Sequence, residues 1–305
     1  MKFFSLIAVL LFEQVHPLPV KRFVLDPLRA LVAALLGRRG RLGTNERLAW
    51  GLIVAAGTAL CALLACWLPL LLNIVFTVAV LYLTLGFRHE SHFFTDIHLA
   101  LRTQDADTAR RLLSEWRGGQ YEEAGADEVA RFAIEQALVA AHRNVFGVIF
   151  WFVLLGPAGA VMYRLARFLH DEWGDRRDSG LERHGQFARH AFFIIDWAPA
   201  RMTAILFAVG GNFEDAVFCW RAQSVLLPDR GNAVLIASGA GALGVRLGGQ
   251  PGLDSAGGET ETLEVGVGDR AGVDDMQATV GLVWRALVVF MVLLALTTIA
   301  VWVGS

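Results

Sequence analysis

Charged side chains are scarce in this chain of 305 residues, where Asp, Glu, Lys and Arg together make up 18% and hydrophobic residues reach 55%. This composition is too apolar for a typical soluble enzyme. The net charge of -2 gives no sign of a nucleic-acid partner. Cysteine is also scarce, and the spacing of Cys61, Cys66 and Cys219 indicates neither a disulfide framework nor a CxxC metal site. The composition predicts an all-α, polytopic integral membrane protein with roughly 4–6 membrane helices and a cytoplasmic helical section.

Long apolar runs organise the chain, which we expect to form one membrane domain over residues 1–305. Its sections are N-terminal membrane helices (1–87), a soluble helical section (88–144), broken membrane helices (145–210), an amphipathic and Gly-rich loop region (211–285) and a C-terminal membrane helix (286–303). The run of residues 48–87 is long enough for a hairpin that turns near Pro69. A basic connection precedes it, so the positive-inside rule places residues 88–144 in the cytoplasm. No repeat of fixed period is present, which argues against a transporter.

Local signals refine these sections. Asp105 and Asp127 are typical helix caps and predict two helices in the soluble section. Residues 145–168 form either one broken spanning helix or a re-entrant hairpin, because Gly156 and Pro157 interrupt the run. Residues 254–275 have no periodicity and predict a flexible loop.

Three sets of polar residues leave alternatives open. His89, His92 and Asp96 fall at helical spacing that could bind a divalent metal, or they mark the interfacial start of a helix. The arginines between residues 176 and 183 could hold a phosphate, or contact anionic headgroups. The tract Gly239–Gly249 could let a bulky ligand approach, or pack helices closely.

The segment Phe192–Phe207 carries Asp196 and Arg201 on either side of Pro199 within an apolar run. An ionisable group inside a membrane helix costs several kcal/mol and is by default a functional residue. The alternative is that Asp196 marks a helix boundary and Arg201 extends to the headgroups. We expect Pro199 to loosen the helix between them.

Four segments together resemble the CobD/CbiB family of cobalamin-biosynthesis membrane proteins. They are HPLPV (His16–Val20), DADTARRLLSEWRG (Asp105–Gly118), IDWAPARMTAILFA (Ile195–Ala208) and GAGALGVRLGG (Gly239–Gly249). The resemblance implies an amide ligase similar to adenosylcobinamide-phosphate synthase, which joins an aminopropanol, or its phosphate, to adenosylcobyric acid. It also implies ATP and magnesium, a corrinoid substrate, and a multi-pass protein of the bacterial inner membrane. Membrane lipid, a second copy of the chain and other cobalamin-pathway membrane proteins are the expected partners.

The resemblance also implies site residues. The catalytic candidates are Glu135, Asp171 and Arg201, and no metal ligand is assigned. The substrate-binding candidates are His16, Asn144, Arg176, Asp196, Trp197, Asn232 and Arg246. Arg is suited to bidentate phosphate recognition.

Departures from the family pattern suggest a second interpretation. Glu135 matches the first glutamate of a family motif, but the polar set that follows is not preserved in FAIEQALVAAHRNVFG (Phe132–Gly147). Asp196 stands where the family has Asn, as in AmpE-like proteins. Those proteins lack the Gly239–Gly249 tract. The alternative function is therefore a non-catalytic, AmpE-like signalling protein of the inner membrane that is linked to β-lactamase induction.

Overall fold

The structure is a computed structural model that describes residues 5–9, 46–85, 87–174, 182–227, 229–249 and 264–304. The predicted site residues His16 and Arg176 lie outside these residues. Two compact units are formed. One contains the described residues up to Arg88 together with Gly147–Trp197, and the other contains His89–Phe146 and Ala198–Ser305.

Helices dominate both units. In chain order they are α1 (Glu46–Trp67), α2 (Leu70–Thr84), α3 (Phe87–Arg102), α4 (Ala106–Arg117), α5 (Ala126–Ala141), α6 (Gly147–Leu155), α7 (Pro157–Gly174), α8 (Glu182–Gly210), α9 (Phe213–Gln223), α10 (Arg230–Leu243) and α11 (Asp275–Gly304). A π-helical turn (His142–Phe146) joins α5 to α6, and a 3-10 turn (Ser224–Leu226) follows α9. Strands β1 (Arg246–Gly248) and β2 (Glu264–Gly266) form an antiparallel ribbon.

Four of the described helical stretches are long and apolar enough to cross a membrane, namely Arg47–Trp67, Ala126–Leu155, Gly185–Gly210 and Asp275–Gly304. This confirms the prediction of an all-α polytopic membrane protein. The last helix begins at Asp275, 11 residues before the predicted position 286. The prediction missed these residues because the first turns carry polar side chains, which lower the hydropathy of the segment. The long apolar run breaks near Pro69, as predicted, but α2 has only 15 residues, fewer than the about 20 that a crossing needs.

The first unit contains a tight hairpin of α6 and α7. Gly156 has a positive φ of 69° and turns the chain between them. A Cβ atom on Gly147 would clash with the ring of Tyr163, and one on Gly159 would clash with the carbonyl of Trp151. These two contacts are symmetric about the turn, so the helices run antiparallel. Residues 145–168 therefore form a hairpin rather than one broken helix.

The helix α8 runs unbroken through Pro199. The hypothesis that Asp196 marks a helix boundary is wrong, because Asp196 lies 14 residues after the start of α8 and is buried, with 5% of its surface exposed. Proline removes one backbone donor from a helix, and here the hydroxyl of Thr203 donates to the Pro199 carbonyl at 3.0 Å. That bond helps to hold the turn that follows the proline.

In the second unit, α9 and α10 pack closely through small residues. A Cβ atom on Gly241 of α10 would clash with the Asp215 carbonyl of α9, and one on Gly239 would lie 2.5 Å from Leu138 of α5. Cys219, Ala233, Ala237 and Val265 belong to the core cluster beside this contact. The first part of the glycine tract therefore packs helices, which is one of the two alternatives predicted for it.

Of three local sequence predictions in the second unit, one is confirmed and two need correction. Asp105 caps α4 as expected, its side chain accepting the Thr108 N–H at 3.1 Å. Asp127 does not cap α5, because Gly125 is the N-cap and Asp127 lies in the first turn. The stretch 254–275 is not entirely loop, because Glu264–Gly266 pairs with Arg246–Gly248. Strands of three residues are too short to give a periodic signal.

Candidate functional site

The candidate site is built around Glu135, whose carboxylate is buried in the second unit with 5% of the side chain exposed. One oxygen accepts the backbone N–H of Gly248 at 2.7 Å. The other lies 2.9 Å from Nη1 of Arg117. A buried carboxylate is stable only when it is paired and hydrogen-bonded, and here both oxygens are engaged. Glu135 thus fastens the ribbon to α5.

A second buried carboxylate, Glu264 on β2, lies among three arginines. Nε of Arg270 is 2.8 Å from Oε1, and Nη1 of Arg246 is 3.6 Å from Oε2. Nη1 of Arg131 is 3.9 Å from Oε1, and Nη2 of the same residue is 3.9 Å from Glu128. Arg131 is buried, with 3% of its side chain exposed, whereas Arg246 and Arg270 are 44% and 47% exposed. The group thus has a buried base and two guanidinium groups that reach solvent.

The local sequence explains why these charges converge. Glu128, Arg131 and Glu135 fall at i, i+3 and i+7 of α5, a spacing that places them on one face of the helix. The ribbon pairs Gly248 with Glu264, so residues that contact α5 occupy both strands. Gly249 has a φ of 97°, and a Cβ atom there would lie 3.1 Å from Nη2 of Arg131. Glycine therefore lets the backbone approach the buried guanidinium.

The length of the helical stretch that carries this charged group is compatible with a position of the group near a membrane surface. The stretch Ala126–Leu155 has 30 residues, about ten more than a bilayer crossing requires. Glu128, Arg131 and Glu135 all lie within the first ten positions. The remaining 20 residues, 136–155, are long enough to span the apolar layer, and Arg143 is the one Asp, Glu, Lys or Arg side chain among them.

Aromatic rings border the site on the side of α4. The guanidinium of Arg117 lies 4.9 Å from the ring centre of Phe132, a distance that suits a cation–π contact. Tyr121 packs against the same ring at 5.6 Å. Burial raises the pKa of the Tyr121 hydroxyl, the positive charge of Arg117 lowers it, and the negative charge of Glu135 raises it further. The net shift is upward, so Tyr121 stays a neutral donor at neutral pH.

A buried polar pair follows in the membrane-spanning part of the second unit. Nδ1 of His142, a fully buried residue, lies 2.8 Å from the hydroxyl of Thr203. His142 opens the π-helical turn, an irregularity that is frequent at functional sites. The predicted residue Asn144 lies in this turn, buried, and its amide donates to the Ala140 carbonyl at 3.0 Å. Arg201 is half-buried on α8.

The first unit holds the other predicted residues. The hydroxyl of Tyr163 donates to Oδ1 of Asp196 at 2.8 Å, and both side chains are buried. Trp197, the next residue, is 50% exposed. Asp171 is exposed and contacts its neighbours on α7, with Nδ1 of His170 at 3.0 Å and Nε of Arg167 at 3.4 Å.

The structure brings two predicted site residues to the ribbon, since Glu135 accepts the Gly248 N–H of β1 and Arg246 of β1 pairs with Glu264 of β2. Asn232 instead contacts Asp229 at 2.6 Å in the first turn of α10. The roles assigned to Asn144, Asp171, Arg201 and the remaining candidates stay predictions. Sequence reasoning missed the residues that complete the group, namely Arg117, Glu128, Arg131, Glu264 and Arg270. Charges at helical spacing in α5 were the available signal for two of them.

This donor set fits phosphate better than it fits a bare metal ion. Within the described residues, no group of three or more His, Cys, Asp or Glu side chains could hold a metal ion. The guanidinium groups of Arg246 and Arg270 are nearly half exposed, and a guanidinium group is suited to bind phosphate oxygens. Magnesium commonly binds through substrate phosphates with one or two protein carboxylates, so a preformed metal cluster is not required.

Comparison with known proteins identifies the family. The model of a family described as CobD/Cbib protein matches residues 12–283. The cobalamin biosynthesis protein CobD of Stutzerimonas stutzeri is 33% identical over 256 residues, which are 81% of this chain and 82% of that protein. The protein of the same name from Chromobacterium violaceum is 36% identical over 190 residues, 61% of this chain and 60% of the relative. No solved structure matches the chain.

These similarities follow the segments on which the family resemblance depends. The matched residues include Glu135, the Asp196–Arg201 segment and the glycine tract. The AmpE-like alternative finds no support among the relatives named above. Because the family model covers most of its length, this chain belongs to the CobD/CbiB family.

Proposed function

We propose that this protein acts in cobalamin biosynthesis, at the bacterial inner membrane, by forming the amide bond between adenosylcobyric acid and an aminopropanol or its phosphate. One observation supports this most directly. Two segments that resemble family motifs, the helix around Glu135 and the tract Gly239–Gly249, meet in the buried bond between Glu135 and the Gly248 N–H. The two relatives described above are both named as cobalamin biosynthesis proteins, which agrees with the proposed pathway.

The reaction needs an activated carboxyl group and an uncharged amine. ATP supplies the activation, and attack by the amine nitrogen forms the C–N bond while ADP, phosphate and a proton are released. The chain's contribution is to position charged substrates at the membrane surface. Arg246 is the predicted site residue that we expect to hold a phosphate. Its guanidinium group is half-exposed and contacts Glu264, which in turn contacts the buried Arg131. Magnesium would be held mainly by the nucleotide phosphates, whose negative charge it would neutralise.

Glu135 acts in this proposal as a positioning residue. One of its oxygens pairs with Arg117, the other accepts the Gly248 N–H, and only 5% of the side chain is exposed, so little of the carboxylate is open to a substrate amine. Its function is to hold the ribbon, and with it Arg246, in a fixed position against α5. Preorganised charges of this kind cost no reorganisation during the reaction.

The proposal is tested by complementation in a bacterial strain that lacks the amide-forming step and is supplied with cobyric acid. We expect the wild-type chain to restore cobalamin synthesis and Arg246→Ala to reduce it at least tenfold. Arg111→Ala, which removes an exposed arginine of α4, is the matched control and leaves the yield unchanged. Each variant's amount in the membrane is measured by immunoblot. A well-expressed wild-type chain that restores nothing, and forms no adenosylcobinamide in isolated membranes, would refute the proposed reaction.

A further inference from the structure

One face of helix α9 is exposed although it is largely apolar. Phe213 and Phe218 are each 56% exposed. They border an open groove of about 530 Å³, whose other lining residues are Glu214, Val217, Arg221 and Ala222. On the opposite side Ala216 and Cys219 are buried, so α9 packs through one side and exposes the other. An exposed apolar patch typically marks a contact with a protein or a membrane.

The first turn of α9 follows directly on a helix that can span the membrane. The spanning stretch of α8 ends at Gly210, and two residues separate it from Phe213, where α9 begins. A Cβ atom on Gly210 would lie 3.3 Å from the backbone nitrogen of Ala286 in α11. Residues 286–305 contain no Asp, Glu, Lys or Arg, so the uncharged part of α11 begins at this contact. Because charged side chains are costly inside the apolar layer, both helices indicate that α9 begins at the membrane surface.

Hydrogen bonds hold α9 at both ends. At its beginning the Asn212 N–H donates to the Ala242 carbonyl at 3.0 Å, and the Asn212 side chain accepts the Asp215 N–H at 3.4 Å. At its end the Gln223 side chain donates to the Gly266 carbonyl at 3.3 Å and accepts the Gly266 N–H at 2.6 Å. The exposed face of α9 therefore has a fixed orientation relative to α10 and the ribbon.

The exposed apolar surface of α9 continues that of α8. Ile205 and Val209 are about half exposed and lie four residues apart, on one face of the spanning stretch. Phe213 is the next exposed large apolar residue along the chain, and Val225 and Leu226 extend the surface into the turn after α9. Exposed apolar side chains on a spanning helix face lipid. The continuity of this surface therefore favours lipid as the partner of α9.

The two charges that line the groove have opposite signs. Glu214 and Arg221 offset each other, so the groove carries no net charge that would attract an anionic headgroup. Arginine can also place its methylene groups along apolar surface while its guanidinium reaches the headgroups. Burial of the phenylalanine side chains is therefore the expected driving force for contact with the bilayer.

We propose that α9 is an interfacial membrane helix, with Phe213 and Phe218 inserted among the lipid acyl chains of the bilayer. Helices of this type insert their apolar face about 5–10 Å into the boundary between headgroups and acyl chains. Since α9 packs tightly on Gly241 of α10, its insertion would hold α10 and the attached ribbon at the membrane surface. The proposal concerns a lipid contact and does not depend on the amide-forming reaction.

The test measures the depth of spin labels in the full-length chain. The three native cysteines are replaced by alanine, and single labels are attached in Phe213→Cys and Phe218→Cys in nanodiscs of zwitterionic phosphatidylcholine. Arg111→Cys on α4 is the reference for water, and Val292→Cys on α11, which is 51% exposed in a spanning stretch, is the reference for lipid. We expect the ratio of oxygen to nickel-chelate collisions at positions 213 and 218 to be at least threefold higher than at position 111.

A second change tests whether the apolar side chains cause the insertion. Phe213→Ser should lower the collision ratio of the label at position 218 at least twofold, because it removes one of the two inserted rings. Leu99→Ser, which changes an exposed leucine of α3, is the matched control and should leave that ratio unchanged. The ratios should also be the same in nanodiscs that contain phosphatidylglycerol, because the charges in the groove offset each other.

Three results would overturn the proposal. Ratios at positions 213 and 218 equal to that at position 111 would place the face in water. Shielding of both labels from oxygen and from the nickel chelate would indicate a protein partner, and dipolar broadening between labels would identify that partner as a second copy of the chain. Insertion that occurs only with phosphatidylglycerol would make headgroup charge, rather than the apolar face, the cause of the contact.

Discussion

Removal of Arg117 should destabilise the protein more than neutralisation of its partner Glu135. Glu135 has 5% of its side chain exposed and Arg117 has 30%, so water can solvate a lone Arg117 far better than a lone Glu135. In Arg117→Ala the buried carboxylate keeps the Gly248 N–H but loses its cation. Removing one partner of a fully buried ion pair costs about 3–5 kcal/mol, and the partial exposure of Arg117 places this pair near the lower end.

Glu135→Gln should cost less. The amide oxygen of glutamine can still accept the Gly248 N–H, so the donor that would otherwise be left unpaired, at a cost of about 1–3 kcal/mol, keeps its partner. The remaining loss is the charge interaction with Arg117, which turns toward solvent. We therefore expect a cost of about 1 kcal/mol for Glu135→Gln.

The double variant tests most directly whether Arg117 and Glu135 are energetically coupled. With Arg117→Ala and Glu135→Gln together neither position of this contact carries a charge, so the double variant should be more stable than Arg117→Ala alone, with a coupling energy of about 2 kcal/mol. The free energies come from reversible denaturation in mixed micelles. Asp107→Asn, in an exposed pair with Arg110 where 94% of the Asp107 side chain is accessible, is the control and should change stability by less than about 1 kcal/mol. A double variant that loses the sum of the two single costs would show that the contact does not couple the residues.

Three further predictions concern other parts of the chain. Asp196→Asn should retain stability and complementation, since its tyrosine partner still finds an oxygen, whereas Asp196→Leu should lower the melting temperature markedly. Gly241→Ala should destabilise the protein by about 1–3 kcal/mol, because its Cβ would clash with the Asp215 carbonyl, while the unobstructed helical control Gly281→Ala should not destabilise it; equal melting temperatures for the two variants would contradict the packing. Tyr121 should ionise above its ordinary pKa of about 10, so ultraviolet difference titration of Tyr121→Phe should lack one ionisation step above that value. Because folding raises the pKa of Tyr121, the contribution of Tyr121 to the free energy of unfolding is fully present below the ordinary pKa. This contribution is lost as the pH rises through the pKa of the folded state.

Apolar runs and helix breakers were sufficient to predict most of the fold. Pro69 breaks the first long run, Gly156 turns the α6–α7 hairpin, and Asp105 caps α4 as predicted. These are local effects, because a proline or a cap acts within one helical turn. The ribbon could not be predicted in the same way. Its strands are three residues long, and a residue on one pairs with a residue many positions away.

The same distinction explains which parts of the site were predictable. Glu135 and Arg246 were identified because each lies in a segment that resembles a family motif. Arg117 forms an ion pair with Glu135, which lies 18 positions later in the sequence. Arg270 forms a backbone bridge with Arg246, which lies 24 positions earlier. No local sequence pattern can indicate either contact. Only the three-dimensional structure shows that the charge of Arg117 compensates the buried charge of Glu135.

Asp196 illustrates how packing changes the weight of a sequence difference. Its replacement of the family's Asn was one of the sequence arguments for the AmpE-like alternative. In the structure, Oδ1 of Asp196 accepts the hydroxyl of Tyr163 at 2.8 Å. An asparagine oxygen can accept the same bond in the same position, so for this contact the substitution is conservative. The difference at Asp196 therefore gives no support to a regulatory protein over an enzyme of this family.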